Sequence, residues 1–239
     1  MDKILHGVLK FQSSVAPDKM PLFAKLVKEG QAPRCLFITC ADSRIVPDMI
    51  TSTDPGDLFI IRNIGNLVPP FETLAAGGDH SVGAALEYAL TVLKIPNIVI
   101  CGHSDCGAMK AVRDYKKLPD GTALKSWLCN AAESVDNLQR GRILDPELSP
   151  QNQLAQLNVL QQLRHLKTYP VVQEKLESGA VQIHAWYLEI ENARVDIFHP
   201  GRNRFVLLDE VSVQEVQFLN SMFRTAPAVK MDLDRAMGL

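Results

Sequence analysis

Cys35-Leu-Phe-Ile-Thr-Cys-Ala-Asp-Ser-Arg44 begins as an unbroken apolar run and ends with a thiol, a carboxylate and a guanidinium at alternate positions. The apolar part shows no period-two alternation, which marks a strand covered on both faces, as in the parallel sheets of α/β proteins. Two more runs of this kind follow, Leu58-Phe-Ile-Ile61 and Ile98-Val-Ile-Cys101. Between them Val82, Ala85, Leu86, Ala89, Leu90 and Leu93 trace one face of a helix long enough for a right-handed crossover. The expected fold is therefore α/β, a mostly parallel central β-sheet flanked by helices.

Upstream, Ile4, Val8, Phe11 and Val15 recur at helical spacing, and Pro21 to Val27 offers a second short helix before Gly30 and Pro33. Residues 1–30 thus read as an amino-terminal helical arm. Downstream, Leu124, Trp127, Leu128, Ala131, Val135 and Leu138 predict one helix, and Ser149-Pro150 opens another that carries Leu154, Leu157, Leu160 and Leu163. Val181 to Glu189 alternates as a strand, while Ile197-Phe198 and Phe205 to Leu208, parted by Pro200-Gly201, predict a hairpin. Ser212-Val-Gln-Glu215 has capping-box spacing ahead of Val216, Leu219 and Phe223. With no repeat or linker, 1–239 reads as a single domain, the arm followed by a core over 31–239.

A chain of 239 residues, 46% hydrophobic, can bury a substantial core. Its formal charge of −2, with no basic block beyond pairs such as Lys116-Lys117, gives no field to hold a polyanion, so no nucleic-acid partner is expected. Neither a secretory h-region after Met1 nor a membrane-length apolar run is present, and the expected location is the cytoplasm, off the membrane. Five cysteines, an odd number in a chain of this size, favour thiol, metal or catalytic roles over disulfides.

Loops at the carboxyl ends of parallel strands form the usual ligand crevice of an open sheet. Two such ends carry reactive side chains: Cys40-Ala-Asp-Ser-Arg44 and Gly102-His-Ser-Asp-Cys106. If a helix starts after His103, the i, i+3 spacing puts His103 and Cys106 on one side of its first turn, and Cys40 can arrive from the neighbouring strand as third ligand. Two thiolates and an imidazole suit zinc, and three protein ligands leave the fourth position open for water or substrate. Cys35 and Cys101 fit the apolar core better, Cys129 has no ligating neighbour, and His6, His80, His165, His184 and His199 are isolated. The H-x-E and P-C-x-x-C signatures of zinc nucleobase deaminases are missing. Gly78 and Gly83 have P-loop spacing but lead into Ala84-Ala85 instead of Lys-Ser/Thr.

On these residues the chain resembles the β-class carbonic anhydrases. The likeness rests on Cys40 to Arg44, on Arg62-Asn-Ile-Gly-Asn66 before Val68-Pro-Pro70, on Glu87-Tyr88, and on Gly102 to Gly107. It runs continuously over 5–112 and more loosely through the last strands. The resemblance implies one zinc per subunit on Cys40, His103 and Cys106, and reversible hydration of carbon dioxide to bicarbonate by zinc-bound hydroxide. Asp42 would orient the zinc-bound solvent, and Arg44 would hold Asp42 off the metal in a charge-assisted pair. Gln31, Phe59, Ile64 and Tyr88 match the substrate pocket. The resemblance further implies a homodimer, in many relatives assembled into tetramers or larger, with the arm wrapping its partner.

In relatives gated by bicarbonate, a tryptophan stands three residues before the first cysteine. Here that residue is Phe37, which lacks the indole donor, so the open class is expected. The 68–71 region and the first dozen residues look like carboxysome-associated members, but the long carboxyl-terminal extension found there is missing, which argues against shell association. A short insertion between Pro70 and Gly83 could reshape the site mouth. Two alternatives stand beside this reading: a carbonyl sulfide or carbon disulfide hydrolase of the same family, and a noncatalytic zinc-stabilised assembly protein.

Overall fold

The computed structural model describes residues 1–209 and 213–215, which centre on one six-stranded sheet. The strands are β1 (Cys35–Cys40), β2 (Leu58–Asn63), β3 (Asn97–His103), β4 (Gln182–Glu189), β5 (Arg194–His199) and β6 (Arg204–Leu207), in the order β2-β1-β3-β4-β5-β6. The first four run parallel, and β5 and β6 complete the sheet antiparallel, the latter pair forming the expected hairpin. From β1 the chain crosses outward to β2 and then back to β3 on the other side, so the strand order reverses between β1 and β3. The carboxyl ends flanking such a reversal open a crevice. Cys40 and His103 are the last residues of those two strands.

Side chains alternate along β1, as a strand requires. Leu36, Ile38 and Cys40 join the larger core with Ile98 and Ile100, under the helices Ser81–Glu87 and Pro150–Leu166. Phe37 faces the other way, in a smaller cluster with Ile45, Val99, Cys101 and Leu188, and meets Trp186 edge-on at 5.8 Å. Cys35 packs against that second cluster, so it and Cys40 do lie on opposite faces. Burial pushes the thiols of Cys35 and Cys101 up to about 12, as befits inert core groups.

Two expectations about helices change. The arm is one helix: Asp2–Lys10 continues through a π-helical stretch, Phe11–Val15, into Ala16–Glu29, with Pro21 inside it. The widened turns lie just ahead of Pro17, which has no N–H for the Ser13 carbonyl. Conversely, the helix expected over 124–138 is broken into Ala123–Leu128, a 3-10 turn Cys129–Ala131 and Ala132–Gln139. There Asn130 Nδ2 donates to the Trp127 carbonyl at 2.8 Å, giving that oxygen a side-chain partner at the break. Ser149 caps Pro150–Leu166 as expected, accepting from Asn152 N. Ser212, the cap residue of the box expected at 212–215, and the helix positions after it lie outside the described residues.

The arm buries none of its own residues. Ile4, Leu5, Val8, Leu9, Phe11 and Val15 are all exposed. It is tied to the body by Lys19 on Asp54 and by Leu26, whose side chain covers Gly56. Among the described residues no helix is long and apolar enough to cross a membrane.

Candidate metal centre

Cys40 Sγ, a ring nitrogen of His103 and Cys106 Sγ lie within 4.8 Å of one another, and all three residues are buried. Among the described residues this is the only such group of three or more. The route by which His103 and Cys106 meet differs from the expected first helical turn. His103 ends β3, Asp105 turns the chain with a left-handed φ of 53°, and Cys106, in extended conformation, is the N-cap of the helix Gly107–Arg113. The left-handed turn, tolerated by aspartate better than by most residues, swings the second thiol back toward the imidazole.

The imidazole is oriented from behind. His103 Nδ1 lies 2.8 Å from the Ser104 carbonyl and must carry the proton, which leaves Nε2 as a lone-pair donor. Nε2 is buried and has no hydrogen-bond partner. A buried polar atom without a partner is costly, and a cation between it and two thiols removes that cost. The two thiols act on each other: the Cys106 thiol hydrogen-bonds to Cys40 and draws its pKa below the usual thiol range, while Cys40 and burial push Cys106 up. One of the pair therefore ionises readily and the other resists, until a cation neutralises both. The donor set fits a zinc-like ion.

Beside this group, Asp42 accepts at Oδ1 from the backbone N and Nε of Arg44, each at 3.0 Å, and at Oδ2 from Nη2 at 2.8 Å. This fork holds the Asp42 carboxyl well below the usual carboxylate range. Arg44 continues through Nη1 to Asp105 Oδ2 at 2.9 Å. Arg62, reaching over from β2, donates to the Asp42 carbonyl at 2.7 Å and to the Cys40 carbonyl at 3.3 Å. In the sequence Arg62 stands only as the first residue of the matching Arg62–Asn66 stretch; its two carbonyl targets emerge from the parallel pairing of Thr39 with Arg62.

The helix Pro150–Leu166 supplies a framework that its leucines did not announce. Asn152 Oδ1 accepts from Asp105 N, Gln151 Nε2 donates to the Cys106 carbonyl, Asn158 Nδ2 donates to the Gly65 carbonyl, and Gln162 Oε1 accepts from Val68 N. Gln162 Nε2 also joins Asn158 Oδ1 at 2.9 Å, linking two of these anchors. Of the expected pocket residues, Phe59 and Tyr88 stand together with ring centres 6.0 Å apart. Gln31, Ile64 and Tyr88 are exposed, so the four do not close a pocket within one chain.

A family model described as carbonic anhydrase matches residues 35–195, which include every residue of this centre. The solved β-carbonic anhydrase CcaA superposes with a TM-score of 0.78 at 35% identity, over 88% of this chain and 92% of that one. The chain belongs to the β-class carbonic anhydrases.

This carbonic anhydrase is 40% identical to one from Pseudomonas aeruginosa over 210 residues, 88% of this chain and 93% of the relative. It is 42% identical to one from Synechococcus elongatus over 201 residues, 82% of this chain and 70% of that longer relative. A tetrameric β-carbonic anhydrase from Sordaria macrospora superposes with a TM-score of 0.70 at 30% identity, covering 82% of this chain and 95% of that one.

Proposed function

We propose that this carbonic anhydrase holds one Zn²⁺ per subunit on Cys40, His103 and Cys106, and catalyses the reversible hydration of carbon dioxide to bicarbonate and a proton. The observation that carries the reading is the buried, unpartnered Nε2 of His103 beside the two buried thiols of Cys40 and Cys106. Zinc, when held there, supplies a Lewis acid that makes a water molecule nucleophilic near neutral pH. The rest falls to the chain's own side chains.

Asp42 accepts a hydrogen bond from the reacting water and so points its lone pair toward carbon dioxide. An ionised carboxylate has about four acceptor sites, so the three donated by Arg44 leave room for this one. Arg44 keeps the carboxylate from swinging into the ligand set, and Asp105 and Arg62 steady the pair from either side. This pairing supports the open class. Phe59, Ile64 and Tyr88 offer apolar surface to a small uncharged gas, with Gln31 and the Tyr88 hydroxyl as polar edges. The proton leaves to buffer.

The exposure of Gln31, Ile64 and Tyr88, together with the uncovered apolar residues of the arm, supports a homodimer in which the arm lies on the partner subunit. The tetrameric Sordaria macrospora relative supports further assembly. We place the enzyme in the cytoplasm.

Stopped-flow carbon dioxide hydration on protein of measured zinc content tests the reading. The parent should carry zinc near one per chain and be active; Cys40→Ser should lose both. Asp42→Ala should keep the metal and lose turnover. Full activity in a zinc-free parent would overturn the mechanism.

A further inference from the structure

The peptide joining Ile64 to Gly65 is held at both ends. Its N–H donates to Cys40 Sγ at 3.4 Å, and its carbonyl, that of Ile64, accepts from the indole Nε1 of Trp127 at 2.8 Å. We propose that Trp127 is a positioning residue for the metal centre, acting on the Cys40 thiolate through this single peptide unit. The inference rests on Cys40 being a ligand, and goes beyond that assignment by naming the group that sets the thiolate's donor strength.

Three observations support it. First, an indole N–H can only donate, and this one is directed to a backbone carbonyl 63 residues away in sequence. A hydrogen bond on a peptide carbonyl polarises the peptide and strengthens its N–H as a donor, so the indole and the sulfur are electrically connected. Second, the approach requires glycine. Gly65 has φ +81°, and a Cβ there would lie 3.0 Å from Ala108 Cβ and 3.4 Å from the end of Met109. Third, the following peptide is anchored independently by Asn158 Nδ2 on the Gly65 carbonyl at 3.0 Å. Trp127 and Asn158 thus grip consecutive carbonyls from two different helices, leaving the intervening N–H no direction but toward the sulfur.

The chemical consequence has a sign. An N–H donated to a thiolate withdraws charge from sulfur and makes it a weaker donor to the cation, which stays more electron-poor. Without the indole donor the peptide is less polarised and less fixed, and Cys40 becomes more electron-rich and less well aimed.

Cobalt is the probe, because thiolate-to-Co²⁺ charge transfer reports the electron density on sulfur directly. Trp127→Phe keeps a ring and removes the donor; the isostere β-(benzothien-3-yl)alanine, introduced at position 127 by codon suppression, replaces N–H by sulfur at almost unchanged shape. With Co²⁺-loaded protein, both substitutions should move the charge-transfer band to longer wavelength. Because the loss of aim outweighs the gain in donor strength, competition with a chelator should show metal affinity lowered by about tenfold, the lower end for loss of an outer-shell partner, with the far-ultraviolet circular dichroism unchanged. Should Trp127→Phe fail to fold, the isostere decides. An unshifted band and unchanged affinity with the isostere overturn the relay, whatever Trp127→Phe does. Absence of any thiolate-to-cobalt band in the parent instead overturns the ligand assignment, and the relay with it.

Discussion

Arg44 grips Asp42 along a fork, Nε on one carboxylate oxygen at 3.0 Å and Nη2 on the other at 2.8 Å, and the Arg44 backbone N–H adds a third bond. Such planar two-point recognition is beyond an ammonium group. Arg44→Lys should therefore resemble Arg44→Ala, both losing turnover by about 10²-fold or more, the usual contribution of a positioned proton acceptor. Zinc content should remain that of the parent. Stopped-flow assay with metal analysis checks this, and a fully active Arg44→Lys would show that charge alone suffices.

His165 gives stability a pH dependence independent of the metal ligands. Its Nδ1 lies 2.7 Å from the Val68 carbonyl and its Nε2 2.6 Å from Gln161 Nε2, so Nδ1 donates while Nε2 accepts. Only the neutral ring can do both. Burial, helped by Arg164, holds its pKa below the ordinary histidine value, and burial does the same to His184. Below about pH 6.5 the unfolded chain therefore takes up protons that the folded chain refuses, so stability is full above that pH and declines as pH falls beneath it. Urea unfolding at about pH 7.5 and 5.5 should show the decline, and His165→Gln should make it shallower.

Gly102, next to His103, has room for hydrogen alone. A Cβ there would lie 2.5 Å from Val159 Cγ2 on the helix that packs over β3. Gly102→Ala should destabilise by about 1–3 kcal/mol through overpacking. Adding Val159→Ala should recover part of the loss, a coupling that a double-mutant cycle in urea would measure. Strict additivity would mean that the strain is relieved elsewhere.

No residue of the arm is fully buried within its own chain, and the apolar face from Ile4 to Val15 is exposed, so that face must be covered from outside if it is to repay the ordering of a helix. A chain lacking residues 1–29 should fall to a lower oligomeric state in light scattering after gel filtration. Val8→Asp, on the exposed apolar face, should weaken assembly in the same direction. An unchanged mass for both would remove the arm from the interface.

Much of this architecture is visible in the sequence because it is local or chemically exceptional. The runs at 35–39 and 98–101 are too apolar to be anything but buried strands, whereas the equally apolar 58–61 forms the half-buried edge strand β2, and a thiol or imidazole at the ends of the first two has few ordinary uses. What escapes is whatever depends on partners distant in the chain. Gln151, Asn152, Asn158 and Gln162 look like the polar side of an amphipathic helix, yet they bond the Gly65–Val68 loop behind Cys40 and the Asp105–Cys106 turn. Nothing in their spacing tells solvent from backbone as the partner. Likewise Trp127 reads as core packing, since a donor's target cannot be inferred from its own position, and the turn at Asp105 follows from a backbone angle that aspartate permits without demanding.

The dependence of the Gly65–Val68 loop and the Asp105–Cys106 turn on Pro150–Leu166 bears on how the enzyme is made. A nascent chain that has emerged only as far as Gly107 already possesses both thiols and the imidazole, but not the amides that bond Gly65, Val68, Asp105 and Cys106. If Cys40, His103 and Cys106 take the metal as proposed, its capture in productive geometry waits on translation of a segment that contributes no ligand, and a product terminated before residue 150 would have the three donor atoms without the scaffold that organises them.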